Sequence, residues 1–270
     1  MPAASAADWY APQQPFAVYG NTYYVGTGGI SAVLITSPAG HILVDAGGPE
    51  ATSQVMAHIR ELGFRVEDIR YILNSHVHQD HAGALAALQK LSGATVLASP
   101  ASVRVLKNGR PDRSDPQYPN LTPIAPVART RAVRDGETVH LGPLAVTAHF
   151  TPGHTRGGTS WTWKAEEGGR TVDVVFADSL FAVAADGRRF SGNPLYPQAQ
   201  ADLERAFATV EALPCDVLVA AHPDLGGLWE RKAEQPARGD AAFIDTGACR
   251  RYVARAREFL ARTLAAEAAP

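Results

Sequence analysis

A run of six residues, His76-Val77-His78-Gln79-Asp80-His81, contains four side chains of the types that bind metal ions. Imidazole nitrogens and carboxylate oxygens bind zinc at about 2.0–2.2 Å. His76 and His78 are two positions apart, so an extended backbone points both rings to the same side. Asp80 and His81 then begin a predicted helix, whose dipole favours an acid in the first turn but does not account for three histidines. The run therefore indicates a metal site rather than a solvated turn.

Two further histidines stand where predicted strands end. His154 follows a strand and the tight turn at Thr151–Gly153, and His222 follows the apolar run Val217–Ala221. Ligands of α/β folds bind at the carboxyl ends of strands, so we expect these residues to join the histidine run. The candidate ligands are His76, His78, Asp80, His81, His154 and His222. A catalytic zinc takes three protein ligands and a water, so six ligands fit two zinc ions about 3.5–4 Å apart, which lower the pKa of a shared water towards ~7.

Two acidic residues also end apolar strands. Asp45 follows Ile42–Val44, and Asp178 follows Val174–Ala177. Either could orient a ligand histidine or cap a turn, and the sequence leaves both roles open. The other histidines lie in predicted strands or helices without ligand-rich surroundings, and we expect them to be surface or hydrogen-bonded side chains: His41, His58, His140 and His149.

Short β-branched runs alternate with amphipathic segments along the whole chain. Predicted strands cover residues 32–35, 41–44, 71–73, 95–97, 144–146, 172–176 and 217–219. Predicted helices cover residues 54–62, 82–91, 201–213 and 250–264. The mixture predicts an α/β fold in which helices cover sheet layers. We predict one domain over residues 1–270, with an N-terminal extension at 1–15, a C-terminal tail at 265–270 and a Pro-rich surface loop at 108–130.

Composition and motifs exclude several classes of protein. The chain has a net charge of −2 and 19% charged residues, which argues against nucleic acid as the main partner. No apolar run is long enough to span a membrane, and the first residues lack the features of a signal peptide. Gly-x-Ser-x-Gly, P-loop and dinucleotide-binding motifs are missing from the sequence. The two cysteines, Cys215 and Cys249, are either reduced core thiols or one disulfide.

The segment His76–Gly83 resembles the zinc motif of the metallo-β-lactamase superfamily, and His154 and His222 follow in that family's order. The resemblance extends over nearly the whole chain. It is sharpest for the third subclass of metallo-β-lactamases, the dizinc type without a cysteine ligand, at Ser191–Pro197 (Ser-Gly-Asn-Pro-Leu-Tyr-Pro) and Ala212–Leu218 (Ala-Leu-Pro-Cys-Asp-Val-Leu).

This resemblance implies a four-layer αββα sandwich with the site at one edge of two sheets. It implies one zinc ion on His76, His78 and His154, and a second on Asp80, His81 and His222. Ser179 stands where other subclasses have a zinc-binding cysteine, and is expected to contact the substrate carboxylate. Phe181 replaces a second hydroxyl found in some relatives, so the carboxylate contact differs. The resemblance also implies a Cys215–Cys249 disulfide.

The activity that the resemblance implies is hydrolysis of the β-lactam ring of penicillins, cephalosporins and carbapenems, with Asp80 orienting the attacking hydroxide. It further implies a periplasmic protein whose leader has been removed, acting on a small molecule as a monomer. The alternative is a lactonase or glyoxalase-type thioesterase of the same superfamily, in which Asp178 would bridge both metals. A zinc-binding protein without catalysis is a third possibility, which a site with open coordination argues against.

Overall fold

Two β-sheets flanked by helices form the centre of the computed structural model, which describes residues 9–268. The first sheet contains β1 (Phe16–Tyr19), β2 (Thr22–Tyr24), β3 (Val33–Ile35), β4 (His41–Val44), β5 (Ile69–Leu73), β6 (Thr95–Ala98) and β7 (Thr130–Ala132). The second contains β8 (Thr138–Leu141), β9 (Leu144–Phe150), β10 (Thr159–Glu167), β11 (Arg170–Ala177) and β12 (Val217–Ala220). The helices are α1 (Thr52–Glu61), α2 (Gln79–Ala82), α3 (Leu85–Ser92), α4 (Pro100–Asn108), α5 (Ala199–Ala212), α6 (Leu228–Arg238) and α7 (Ala248–Ala268).

Both sheets change from antiparallel to parallel pairing along their width. In the first sheet the strands lie in chain order, antiparallel from β1 to β4 and parallel from β4 to β7. In the second sheet the order is β12-β11-β10-β9-β8, and only the β11–β12 pair is parallel. Parallel strands need crossover connections, which helices provide, and their carboxyl ends meet at one sheet edge.

Three apolar clusters fill the spaces between four layers. Side chains such as Val33 and Trp161 pack between the two sheets. The outer face of the first sheet packs on α1, α3 and α4, for example through Ile59. The outer face of the second sheet packs on α5 and α7, through Phe207 and Val253 among others. The four-layer αββα sandwich is therefore confirmed.

Several elements differ from those predicted. The helix predicted at 82–91 is two helices, α2 and α3, because the helical hydrogen-bond pattern is interrupted at Ala84, whose amide donates to the carbonyl of Gly47 at 3.1 Å. The structure contains seven strands and α-helices that were not predicted: β1, β2, β7, β8, β10, α4 and α6. Of these, β2 and β7 have only three residues each, too few for a periodic pattern. The loop from 109 to 129 is confirmed, apart from one 3-10 turn at Tyr118–Asn120.

Both predicted terminal segments are partly ordered. Residues 265–268 of the predicted tail continue α7, which ends at Ala268. Two residues of the predicted extension are held by hydrogen bonds. The carbonyl of Trp9 accepts from Thr27 Oγ1 at 2.5 Å, and the carbonyl of Ala11 accepts from the amide of Gly28 at 2.8 Å. Residues 1–8 and 269–270 of these predictions lie outside the described residues.

A disulfide joins Cys215, just after α5, to Cys249 in α7. This is the pairing that the resemblance implies. Among residues 9–268, no helix combines the length and the apolar character needed to cross a bilayer.

Candidate metal centre

Strand ends from both sheets bring the predicted ligands to one edge of the sandwich. The histidine run follows β5 of the first sheet, with Asp80 and His81 in the first turn of α2. His154 follows β9, and His222 follows β12, both in the second sheet. The site therefore lies across the seam between the two sheets, as the resemblance implies.

His76, His78 and His154 form a compact triplet. Their ring centroids are 4.7 Å apart for His76–His78, 5.0 Å for His76–His154 and 4.9 Å for His78–His154. One ligand atom from each lies within 4.8 Å of the others, and all three side chains are buried. Three imidazoles at this separation can hold one metal ion.

A second group contains Asp80, His81 and His222. Asp80 Oδ2 lies 3.2 Å from His81 Nε2 and 3.5 Å from His222 Nε2, and the two Nε2 atoms are 3.3 Å apart. His76 lies beside this group as well, with its ring centroid 4.3 Å from that of His81. All six candidate ligands are thus brought together in two adjoining sets.

Four of the five histidine rings make a hydrogen bond to an acceptor through one nitrogen, and the fifth, His81, faces a carboxylate. Nδ1 of His76 contacts Asp178 Oδ1 at 2.8 Å, and Nε2 of His78 contacts Asp115 Oδ2 at 3.0 Å. Nδ1 of His81 faces Asp45 Oδ2 at 3.4 Å. The two remaining rings use backbone carbonyls, at 2.7 Å for His154 Nδ1 with Phe181 and 3.1 Å for His222 Nδ1 with Gly29. Acceptors of this kind set the tautomer and orientation of metal-binding histidines.

Burial and mutual charge set the ionisation of the ligands. Burial lowers the pKa of His154 to about 3 and, together with the charge of His81, holds the pKa of His76 well below 6.5. Burial also opposes a charge on His81, but the Asp80 carboxylate outweighs it and raises the pKa of His81 to about 10. Burial would raise the pKa of Asp80, and the charge of His81 overcomes this and lowers it. A histidine binds a metal ion only in its unprotonated form, so metal binding at His81 competes with this proton.

The donor set fits a metal ion. Among the described residues, Nε2 of His76 is buried and has no hydrogen-bond partner, although its Nδ1 is paired. A buried polar atom left unpaired is costly, and a metal ion would satisfy it. Imidazoles with one carboxylate and no thiolate are the ligands expected for zinc.

Asp45 organises the backbone around the histidine run. Its carboxylate accepts hydrogen bonds from the amide of Ser75 at 2.7 Å, the hydroxyl of Ser75 at 2.5 Å and Nδ2 of Asn74 at 3.3 Å. Its φ angle of 55° is the only positive one among the non-glycine residues that the structure describes. Asp45 is fully buried, so this conformation is held by the surrounding contacts. Of its two open roles, that of orienting a ligand histidine agrees with the position of His81.

Asp178 does not lie between the two ligand sets. Its Oδ1 contacts Nδ1 of His76, the nitrogen on the far side of the ring from the unpartnered Nε2. Asp178 is fully buried, and its backbone carbonyl accepts a hydrogen bond from Tyr252 at 2.8 Å. This position corresponds to a residue that supports a ligand, and not to the metal bridge of the alternative hypothesis. Ser179 follows it directly and is buried at 3% exposure.

Three residues near the site were not predicted. The Trp9 ring lies 5.4 Å from that of His222, and the sequence carries no signal that would have identified Trp9. Asp115 and Gln117 come from the Pro-rich loop; Gln117 Nε2 lies 3.4 Å from Nε2 of His154. Long loops in compact domains are often functional, which was the one available signal.

The remaining histidines behave as expected, with one exception. His58 Nδ1 contacts the carbonyl of Val25 at 3.0 Å, His149 Nε2 contacts Thr162 at 2.8 Å, and His140 is exposed. His41 was expected at the surface or hydrogen-bonded; it is buried, and its Nδ1 has no hydrogen-bond partner among the described residues. Its ring packs edge-on against Phe64, which accounts for its burial.

The sequence profile of the Metallo-beta-lactamase superfamily matches residues 25–222, which contain all six candidate ligands. The chain belongs to the metallo-β-lactamase superfamily. The family is metal-dependent, in agreement with the two ligand sets described above.

Solved structures similar over the whole chain are subclass B3 metallo-β-lactamases. MEM-A1, isolated from a soil metagenome library, is 60% identical, with a TM-score of 0.96 over 97% of this chain and 99% of that one. SMB-1, bound to 2-mercaptoethanesulfonate, is 52% identical, with a TM-score of 0.94 over 96% and 99%. MIM-1 from Novosphingobium pentaromativorans is 39% identical, with a TM-score of 0.90 over 99% and 95%.

Curated relatives of a different activity match only part of the chain. The hydroxyacylglutathione hydrolase of Pseudomonas paraeruginosa (strain DSM 24068 / PA7) is 34% identical over 148 residues, 55% of this chain and 45% of the relative. That of Bradyrhizobium sp. (strain BTAi1 / ATCC BAA-1182) is 30% identical over 183 residues, 68% and 58%. The chain spans about half the length of the curated relatives it matches.

Proposed function

We propose that this chain hydrolyses the β-lactam ring of penicillins, cephalosporins and carbapenems with two zinc ions. His76, His78 and His154 would hold one ion, and Asp80, His81 and His222 the other. The observation that carries the proposal is the pair of adjoining ligand sets, in a chain 60% identical over 97% of its length to a subclass B3 metallo-β-lactamase.

Zinc ions bound here would supply a hydroxide nucleophile at neutral pH and would polarise the lactam carbonyl. Asp80 remains ionised because the charge of His81 lowers its pKa, so its carboxylate can accept a hydrogen bond and orient the nucleophile. We assign Ser179 to the substrate carboxylate, which its hydroxyl would contact directly or through water. Phe181 offers no hydroxyl for a second contact.

Two segments would border the substrate. Trp9 packs against His222 and provides an aromatic wall beside the second ligand set. Gln117, from the Pro-rich loop, lies beside His154 in the first. Apolar surfaces with a few placed polar groups are typical of small-molecule sites.

A lactonase or glyoxalase-type thioesterase is the second candidate, favoured by the partial matches to hydroxyacylglutathione hydrolases. Those matches cover at most 58% of the two relatives described, whereas MEM-A1 is matched over 99% of its length. The contact of Asp178 with His76 also argues against a bridging role for this residue.

Steady-state kinetics on a penicillin, a cephalosporin, a carbapenem, a lactone and a glutathione thioester test the proposal. We expect turnover of the three lactams, its loss on chelation and its recovery with added zinc. Asp80→Asn is expected to lower kcat by roughly 10²–10⁴-fold, whereas Asp68→Asn, in a partly exposed ion pair with Arg70, leaves it unchanged. Lactam turnover that survives complete metal removal, or turnover confined to the lactone or thioester, contradicts the proposal.

We further propose that the protein works as a monomer in the periplasm. The Cys215–Cys249 disulfide supports an oxidising compartment, where such bonds persist. Fractionation of cells expressing the full gene, with gel filtration of the purified protein, tests both statements.

A further inference from the structure

His78 differs from the other four histidines of the site in the nitrogen that is held. His76, His81, His154 and His222 each turn Nδ1 towards an acceptor, at 2.8, 3.4, 2.7 and 3.1 Å respectively. His78 instead turns Nε2 towards Asp115 Oδ2, at 3.0 Å. A neutral imidazole carries one proton, so an acceptor at Nε2 leaves Nδ1 as the free lone pair. His78 can therefore bind a metal ion only through Nδ1.

Asp115 is the single side chain of the Pro-rich loop that reaches this nitrogen, and it is 4% exposed. We propose that Asp115 is a positioning residue for the first metal site: its carboxylate fixes the tautomer and ring orientation of His78. This inference rests on the proposed zinc site.

The loop is built to hold this carboxylate in place. Asp115 Oδ1 accepts a hydrogen bond from the amide of Gln117 at 2.9 Å, which leaves Oδ2 for His78. The amide of Asp115 donates to the carbonyl of Asp112 at 3.0 Å. These contacts fix the side chain by means of its own turn.

Two external contacts attach the same turn to the segments around the site. Arg156, two residues after His154, donates from Nε to the hydroxyl of Ser114 at 2.7 Å. The amide of Ala185, in the segment after β11, donates to the carbonyl of Pro116 at 3.0 Å. Asp115 is thus held between two bound neighbours, and a change in this loop is transmitted to His78.

The charge of Asp115 suits this role. Both of its carboxylate oxygens are engaged, Oδ1 by the amide of Gln117 and Oδ2 by Nε2 of His78. Hydrogen bonds to ionised acceptors are roughly twice as strong as those between neutral groups. The carboxylate also makes the imidazole a better electron donor to a metal ion.

Metal binding by the full chain tests the inference, with Asp115→Ala as the main variant and Asp115→Asn as a milder one that keeps a neutral acceptor. Asn108→Ala is the matched control, since it removes an exposed hydrogen bond to the amide of Arg110 at the start of the same loop without touching the Asp115 turn or a ligand. Zinc affinity is measured by competition with a chromogenic chelator, and Co²⁺ absorption spectra report the ligand geometry.

We expect Asp115→Ala to lower the affinity for one of two zinc ions by roughly 10–100-fold and to alter the Co²⁺ spectrum. Asp115→Asn should lose less affinity. Asn108→Ala should retain the wild-type affinity and spectrum. Wild-type affinity in both Asp115 variants, or an equal loss in Asn108→Ala, overturns the inference. If Asp115→Ala does not fold, Asp115→Asn decides on the same criteria. Wild-type protein that binds two ions but hydrolyses no lactam would contradict the proposed function and leave this inference standing.

Discussion

At the scale of single residues, the supports of the ligands determine the site as much as the ligands do. The six candidate ligands could be proposed from the sequence because their types and positions after strands are visible there. Their supports could not, because Asp115, Asp178 and the carbonyls of Gly29 and Phe181 meet the rings only through tertiary structure. A backbone carbonyl has no sequence signature at all.

Asp178→Asn separates a supporting role from a bridging one. The amide has a weaker acceptor than the carboxylate and can turn its NH₂ towards Nδ1 of His76, so we expect roughly 10–100-fold weaker metal binding. Two ions should still bind at saturating zinc, as measured by elemental analysis. Asp173→Asn, in the strand β11 that precedes Asp178 but paired with Lys164 near the surface, is the control and should bind as the wild type does. Permanent loss of one ion from Asp178→Asn would instead support the bridge.

At the scale of elements, the ends of the parallel strands were predictable and the turns that follow them were only partly so. Residues 71–73 and 217–219 were predicted as strands and are strands. Short continuous apolar runs bounded by turn residues are typical of buried strands. The break at Ala84 was hidden, because leucines at 85, 88 and 91 give a helical period regardless of where the helix starts. β10 was missed although Trp161, Trp163 and Ala165 alternate with polar residues, because the predicted strands were all based on short apolar runs.

The turn before His154 requires a glycine at position 153. Its φ is +135°, and a Cβ would lie 2.6 Å from Cα of Leu203 in α5. Gly153→Ala should therefore lower the free energy of unfolding by about 1–3 kcal/mol and displace His154, with reduced lactam turnover. Gly168→Ala is the control: it also has a positive φ, +57°, but no atom within 4 Å of the added Cβ. Urea denaturation and kinetics check both, and equal effects in the two variants would refute steric contact with α5 as the cause.

At the scale of the whole molecule, the sandwich and its disulfide are parts of one arrangement. Cys215 and Cys249 connect the end of α5 to α7, the two helices that cover the second sheet. The residues alone left this pair open between thiols and a disulfide, and only the resemblance favoured the bond. Spatial proximity of two distant cysteines is a property of the fold, which the residues by themselves do not reveal.

Removing the disulfide should destabilise the protein without abolishing its chemistry. Closing the loop between residues 34 apart contributes about 4 kcal/mol in the chain-entropy model. We expect the Cys215→Ser, Cys249→Ser double variant to lose about 2–4 kcal/mol of unfolding free energy in urea. The zinc ligands come from other segments, so kcat at 25 °C should change little. An unchanged urea midpoint would show that the bond does not restrain the unfolded chain.

The ligands come from both halves of the sandwich: four from the first sheet and two from the second. Metal ions bound at the seam would hold the two sheets together, so separation of the sheets would require release of the metal ions. By mass action, anything that binds only the native form raises its stability as its concentration rises. The stability of this protein would then depend on the zinc concentration of its surroundings. A shortage of zinc would make the chain more susceptible to proteases and would also remove the proposed activity.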